Sequence, residues 1–469
     1  MASSSDDGAA PGQNGEGLID PYVNYVRDYF TQRTIHPDQL PDIMFKHIYT
    51  GAMGNVWGTI IAGVFFVYFG NAIGLTKFEW GIMSAVGSWV LLSEVLAAAI
   101  TQRLGHRKML WLACAIADRS IRFIAIMAAL ILWQMGWPHA GLVLVCSITL
   151  ATCLGAMAGP PWLSWLADLI PEKEHGEFWG RRSAWVNVAV VCTMLPAAFY
   201  MDRLPESMKL HVTIWIFTLA TIIGLLDLVI HGTIPEPKMV RPKDPDFFRQ
   251  FMVPLRDRGF RPFLLFSFCW TFSAMVGATL ITVYIMEDLG GKKNLFGTSL
   301  AMMGAYLVGG MLTARWTGAL VDRWGPKRVM RMGYLFWAFI PLNWFFLTPS
   351  SVLWVLGSVN FVAGFFVTAA SNACLKIQTR YPPASHRAMY IAVSNCANYV
   401  AAGLAGLTAA LMARQFENWS WTLDRLTFTS LDIFAAVSLV LRVATAVLLI
   451  GPIREHAEPH EPATQGDRP

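Results

Sequence analysis

Residues 318–328 read Gly318-Ala319-Leu320-Val321-Asp322-Arg323-Trp324-Gly325-Pro326-Lys327-Arg328. An apolar stretch ends here in an acid, a base, a turn and two further bases, and a new apolar stretch opens at Val329. At an offset of 220 residues, Gln102-Arg103-Leu104-Gly105-His106-Arg107-Lys108 stands in the same relation to its own neighbours. Pro171–Phe178 (PEKEHGEF) likewise faces Pro383–Tyr390 (PASHRAMY), with His175 opposite Arg387. Glycine in such a loop permits a tight turn and close helix approach. An acid at a helix end pairs with Arg or Lys, or faces the positive N-terminus of a neighbouring helix. Two loop types recurring in order imply a chain built from two related halves.

The rest of the composition says where those loops lie. Of 469 residues, 55% are hydrophobic and 14% charged, and the mean hydropathy is +0.45. A soluble domain carries about a quarter charged residues, so most of this chain must face lipid or protein. An apolar helix of about 20 residues crosses a bilayer. Twelve such stretches are expected: Ile48–Gly70, Trp80–Thr101, Met109–Trp133, Ala140–Leu166, Ser183–Tyr200, Leu210–Ile230, Pro262–Met286, Phe296–Val321, Val329–Leu347, Ser351–Cys374, Met389–Met412 and Leu431–Ile450. The expected fold is an all-α membrane protein, twelve transmembrane helices in two pseudo-symmetric six-helix bundles.

Lys and Arg crowd the loops on one side, among them Arg103, Arg107, Lys108, Arg181, Arg182, Arg323, Lys327, Arg328 and Arg387, whereas the opposite loops hold Lys77, Arg203, Lys209, Lys292, Lys293, Arg414 and Arg425. The positive-inside rule puts both termini in the cytoplasm of a plasma (inner) membrane protein. The expected organisation is an N-terminal tail and interfacial helix (1–45), a first bundle (46–233), a cytoplasmic linker (234–260), a second bundle (261–453) and a tail (454–469). Tyr22, Tyr25, Val26, Tyr29 and Phe30, and again Phe247, Phe248, Phe251 and Met252, recur at helical spacing, as in helices on the membrane surface or packed beneath the bundle. Met1–Gly17 has no apolar run, unlike a secretory signal peptide. The seven cysteines lie in apolar segments without metal-ligand spacing and read as packing residues.

The loop at 318–328 resembles the signature G-x-x-x-D-R-x-G-x-K-R of the major facilitator superfamily, and Trp165–Arg182 resembles that family's loop between spans 4 and 5. With the span layout and central linker, the resemblance covers roughly residues 45–453. It implies a secondary transporter of small solutes and a gating role for Gly318, Asp322, Arg323, Gly325, Lys327 and Arg328. The first copy departs from the signature, with Gln102 in place of Asp and Ala98 in place of Gly. A charged latch in the first half is therefore expected to be weak or absent. The resemblance also implies a cavity lined by spans 1, 4, 7 and 10. Its candidate lining residues are Asn55, Tyr68, Trp162, Trp270, Asn360, Asn372 and Lys376.

Ionisable residues at bilayer depth are costly and face a cavity or each other. Here they are Glu94, Asp118, Arg119, Arg122, Arg315 and Arg442. Two readings stand for them: a proton site at Glu94 with an arginine holding an anionic or polar substrate, or structural pairs, Asp118 with Arg122 and Glu94 with Arg119 or Arg315. Pro160-Pro161 should bend or unwind span 4. Asp227 and His231 receive no role. Neither a zincin HExxH nor a GxSxG elbow nor a phosphate-binding loop occurs, so the chain reads as a non-enzyme without cofactor or metal. The expected partners are a small-molecule substrate, protons and membrane lipids, with no nucleic acid, and the expected state is a monomer. A lipid or lysolipid flippase on the same scaffold is the alternative.

Overall fold

The structure is a computed structural model that describes residues 35–455 apart from 171–174, 239–246, 383–386, 417–418 and 424–425. The expected N-terminal interfacial helix at Tyr22–Phe30 lies outside the described residues. Apolar runs become helices because hydrocarbon offers no partner to a backbone N–H or C=O, so each segment must satisfy its own. Span 1 is Leu40–Ala62 and Val64–Ala72, parted at Gly63, and span 2 is Lys77–Val90 and Ser93–Leu104. Spans 3 to 7 are Arg107–Gln134, Ala140–Leu169, His175–Asp202, Glu206–Gly232 and Arg261–Glu287. Span 8 runs through Leu295–Ser299, a π-helical turn at Leu300–Gly304 and Ala305–Trp324. Span 9 is Pro326–Ala338 followed by a 3₁₀ segment, Ile340–Phe346. Spans 10 to 12 are Val352–Arg380, Arg387–Gln415 and Ser430–Leu449.

Ten helical segments among the described residues are long and apolar enough to cross a membrane. The other two are spans 3 and 9. Span 3 carries Arg107, Lys108, Asp118, Arg119 and Arg122. Span 9 changes to 3₁₀ at Pro341, which lacks the N–H to continue the ladder. The two prolines of span 4 do not unwind it: Ala140–Leu169 is one continuous helix. Neighbouring helices tolerate such freed carbonyls inside a bundle. A surface helix forms at Phe247–Arg256. Between spans 11 and 12, strands β1 (Ser420–Leu423) and β2 (Leu426–Thr429) pair antiparallel, Trp421 opposite Phe428 with rings stacked at 5.6 Å.

The helices form two six-helix halves. In the first, span 1 packs on spans 5 and 6, and span 4 on spans 2 and 3; in the second, span 10 packs on spans 8 and 9, and span 7 on spans 11 and 12. Between halves, span 2 meets span 11, and span 5 meets the start of span 8. One core crosses that boundary: Phe65, Phe69, Trp80 and Phe217 join Leu280, Tyr284, Ala409 and Phe434, all toward the face that carries Lys77 and Asp288. Toward the face that carries Arg107 and Lys327 the cores are separate, one around Trp165 and one around Phe260 and Tyr390. Exposed Leu219, Val229, Leu312 and Val440 are what a lipid-facing surface requires.

Spans 8 and 10 touch backbone to backbone. A Cβ on Gly364 would lie 2.5 Å from the Tyr306 carbonyl oxygen and 2.6 Å from Gly310 N, whereas one on Gly58 of span 1 would meet nothing within 4 Å. Gly364→Ala is therefore expected to destabilise by about 1–3 kcal/mol through overpacking. Gly58→Ala should leave stability unchanged; thermal unfolding of the purified protein checks both.

Candidate functional site

The charges buried in span 3 set the interior of the first half. Asp118 and Arg122, one helical turn apart, form an ion pair at 2.7 Å, and Arg122 also donates to Thr152 of span 4 at 3.1 Å. Arg119 turns the other way and donates to Asp227 of span 6 at 2.6 Å. Trp57 of span 1 lies under both guanidiniums, 4.9 Å from that of Arg119 and 5.9 Å from that of Arg122. Small residues leave room for the carboxylates, since a Cβ on Gly54 or Gly155 would each come within 2.8 Å of Asp227 or Asp118. Spans 3 and 6 are thus joined by an ion pair, span 4 by the Arg122–Thr152 hydrogen bond and span 1 by Trp57.

Asp227 is the partner that sequence reasoning missed. A signal was present: span 3 holds two arginines at depth and one aspartate, so a carboxylate had to come from a neighbouring helix. The pairing also removes one expectation, because Arg119 is neutralised by Asp227 and not by Glu94.

His231, one turn beyond Asp227, is fixed by its hydrogen bonds. The Trp162 indole N–H donates to its Nε2 at 3.2 Å, so Nδ1 carries the proton and donates to the Thr50 hydroxyl at 2.9 Å. That hydroxyl in turn donates to the Lys46 carbonyl at 2.7 Å. His47 stands edge-on to the His231 ring at 4.4 Å, and Trp165 and Phe178 also pack against it.

Glu94 of span 2 sits where the halves meet and accepts a hydrogen bond from the Tyr399 hydroxyl of span 11 at 2.9 Å. Toward the Lys77 face from this point, spans 2 and 11 close tightly: a Cβ on Gly81 would strike Ala410, and one on Gly403 would strike Trp89. Among the described residues no basic side chain forms an ion pair with Glu94.

The repeated loops carry charged contacts in both halves. Arg107 is fully buried, pairs with Asp168 at the end of span 4, and donates to the carbonyls of Ser164 and Pro237. Its backbone N–H, the first of span 3, donates to Glu236 at 2.7 Å. In the second half the N–H of Lys327, near the start of span 9, donates to Glu455 at 3.0 Å, and its ammonium reaches the Gly451 carbonyl. A carboxylate at a helix N-terminus satisfies an orphan donor and faces the positive end of the dipole. The carboxylates that hold Arg107 come from the last turn of span 4, at Asp168, and from the segment after span 6, at Glu236. Arg323 is exposed and Arg328 lies over the Trp324 ring at 5.6 Å. Gly325 has φ +81°, a conformation that side chains rarely adopt. The side chains of Gln102, Arg315, Gly318 and Asp322 lie outside the described residues.

The cavity candidates divide. Asn55 and Asn372 are exposed, and the Asn55 amide donates back to the Gly51 carbonyl at 2.8 Å. Asn372 also donates to Thr317 at 3.3 Å. Lys376 and Tyr68 are half-buried, and Trp162 is occupied by His231 and lies under the Arg182 guanidinium at 5.2 Å. Two expectations fail. Trp270 does not line a cavity: it is 5% exposed, inside a stack with Phe266, Tyr334 and Trp337. Asn360 is turned to span 8, where its amide donates to the Ala301 carbonyl beside the π turn, which leaves carbonyls in want of donors.

A family model described as Major Facilitator Superfamily matches residues 48–279 and 263–468. No curated protein sequence matches the chain. Solved structures of similar fold include a D-xylose–proton symporter, at 15% identity and a TM-score of 0.63 over 88% of this chain and 98% of that one. A nucleoside transporter follows at 12% identity and 0.61, over 88% and 98%. The xylose transporter of E. coli in its inward-open conformation stands at 15% and 0.60, over 87% and 95%. At such identities the likeness is one of fold.

Removing one member of a buried ion pair costs about 3–5 kcal/mol, because the other charge is left without a counterion. Asp227→Ala is therefore expected to destabilise by about that amount. The double replacement Arg119→Met with Asp227→Leu should recover most of the loss; thermal unfolding of the purified variants reads both.

Proposed function

The chain belongs to the major facilitator superfamily, a family of secondary transporters and not of enzymes, and on that premise we propose that it moves a small solute by alternating access, coupled to protons through Glu94. The contact that carries this reading is the hydrogen bond from Tyr399 to Glu94, which joins the halves where spans 2 and 11 meet. An ionised carboxylate accepts a charge-assisted bond there, and a protonated one a weaker, neutral bond. Proton binding from water on one side of the seam would thereby loosen the contact and release it toward the other. A mid-membrane carboxylate without a basic partner among the described residues is suited to that exchange.

The rest of the geometry supports a state closed at the Lys77 face and parted at the Arg107 face. Lys77 pairs with Asp288 across the halves at 2.7 Å and lies over the Tyr284 ring at 4.1 Å. Asp202, at the end of span 5, accepts from the backbone N–H groups of Leu295 and Phe296 at 2.7 and 2.8 Å, and Phe199 packs on Phe296. The surplus of Lys and Arg supports a cytoplasmic position for the Arg107 face and the termini, and with it the reading of an inward-facing state in a plasma membrane. We assign the solute to the space between the halves, bordered by Asn55, Asn372 and Lys376. The loops at Arg107 and at Gly318–Arg328, with Asp322, Arg323, Gly325, Lys327 and Arg328, would hold the opposite, cytoplasmically closed state. Their ties to Glu236 and Glu455 lie within each half, as a rigid rocking unit requires.

Two experiments test the reading. In proteoliposomes offered candidate solutes, the wild type should accumulate one of them under a pH gradient. Glu94→Gln should then fall to the level of empty liposomes in gradient-driven uptake while keeping equilibrium exchange; full gradient-driven uptake in that variant would end the proton-site assignment. Asp202→Ala should open the Lys77 face. In a cysteine-free background with Tyr68→Cys, alkylation from that side is expected to rise about fivefold or more, the shift produced by losing about 1 kcal/mol.

A further inference from the structure

The surface helix Phe247–Arg256, just before span 7, has two faces of different character. Phe251 packs against the core of the second half and Pro254 is buried, so one face is seated on the bundle, where the helix meets spans 7 and 11. Arg249, Met252, Val253 and Arg256 recur at intervals of three and four, hence on one side, and all are exposed. Leu255 is exposed beside them, and Met252 and Leu255 leave 42% and 38% of their surfaces uncovered. The outward face thus combines apolar side chains with arginines.

The helix is fixed at the height where span 7 begins. The Asp257 carbonyl accepts from the N–H groups of Phe260 and Arg261 at 3.2 and 3.1 Å, and Arg261 is the first residue of span 7. The Asp257 carboxylate accepts from the hydroxyl of Tyr390, in the first turn of span 11, at 2.8 Å, and from that of Tyr381, just past span 10, at 3.3 Å. Charge along this segment is of one sign. Asp257 is the one acid between Phe247 and Met286, against Arg249, Arg256, Arg258 and Arg261, and it is spent on the tyrosines and on the Gly259 N–H. Among the described residues none of Arg256, Arg258 and Arg261 forms an ion pair, and all three are exposed. Arg261 donates its Nε–H to the Leu255 carbonyl at 2.9 Å, which satisfies the helix C-terminus and leaves Arg256 and Arg258 surplus to that need.

We propose that the outward face of Phe247–Arg256 docks on anionic phospholipid, with Arg256 and Arg258 against the phosphates and Met252, Val253 and Leu255 among the upper acyl chains. Cations beside apolar side chains at the end of a membrane span suit the bilayer interface, where chains take the apolar groups and anionic headgroups the arginines. A soluble anion would satisfy the arginines and leave the apolar side chains in water. A neutral bilayer would do the converse. Because Asp257 ties the end of the helix to Tyr381 and Tyr390, a lipid that holds the helix also steadies the ends of spans 10 and 11. The docking is independent of the transported solute and of which face is cytoplasmic.

The test uses the full-length protein, cysteine-free except for Met252→Cys carrying a bimane, in nanodiscs of phosphatidylcholine with a minor share of phosphatidylglycerol. A nitroxide is placed high on the acyl chain of one lipid or of the other, at equal mole fraction. Quenching by labelled phosphatidylglycerol should exceed that by labelled phosphatidylcholine about fivefold, the enrichment expected for an arginine held at an anionic surface. Arg256→Gln with Arg258→Gln should bring the two lipids to parity. Salt at about 1 M should do the same, because the Debye length falls to about 3 Å. Lys292→Gln with Lys293→Gln, exposed residues of the opposite membrane face, should leave the preference intact. Equal quenching by both lipids with the arginines in place, quenching by neither, or a preference that survives loss of both arginines would each overturn the proposal.

Discussion

A charge taken into a bilayer must bring its partner with it, and much of the first half is arranged around that requirement. Asp118 and Arg122 satisfy one another along span 3, while Arg119 needs Asp227 from span 6. The ion pairs are short and the glycines opposite them leave space for nothing larger. Because separating Arg119 from Asp227 in low dielectric costs several kcal/mol, spans 3 and 6 are held in one relative arrangement, with span 4 tied through Thr152 and span 1 through Trp57. A half that moves during transport would therefore move as a unit.

The second half meets the same requirement with different chemistry. Arg442 is held by the carbonyls of Ala274 and Trp337, and the surrounding core is built from aromatic rings packed edge to face. Pseudo-symmetry survives best at the membrane face. There the N–H of Arg107 or Lys327, near the start of spans 3 and 9, donates to Glu236 or Glu455 from the segment that follows the last span of each half. The interior diverged while the loop that turns the chain kept its form. That division is physically reasonable, since a tight turn at a helix N-terminus admits few solutions, whereas a bundle core can be filled in many ways.

Between the halves the contacts are graded with depth. Charged caps and an ion pair lie at the Lys77 face, small residues bring spans 2 and 11 close below them, and Glu94 with Tyr399 ends the seam. The seam combines backbone proximity, which is lost abruptly on separation, with one hydrogen bond whose strength depends on a proton. Such a boundary favours two discrete arrangements over a continuum.

Sequence alone determined the membrane class, the spans to within a few residues at most ends, the repeat and its signature loop, because these rest on local quantities: apolar length, charge bias and turn residues. It located every depth charge of span 3 but could not assign Asp227, near a helix end, to Arg119 more than 100 positions away, nor Tyr399 to Glu94. It placed Trp270 and Asn360 in a cavity because their helices were expected there, although which side of a helix meets a cavity depends on its rotation. It could not pair Arg107 with Asp168, at the end of span 4, or with Glu236, after span 6. Those decisions belong to tertiary structure. A pairing between helices is set by their relative rotation and depth, and no local pattern in the chain records either.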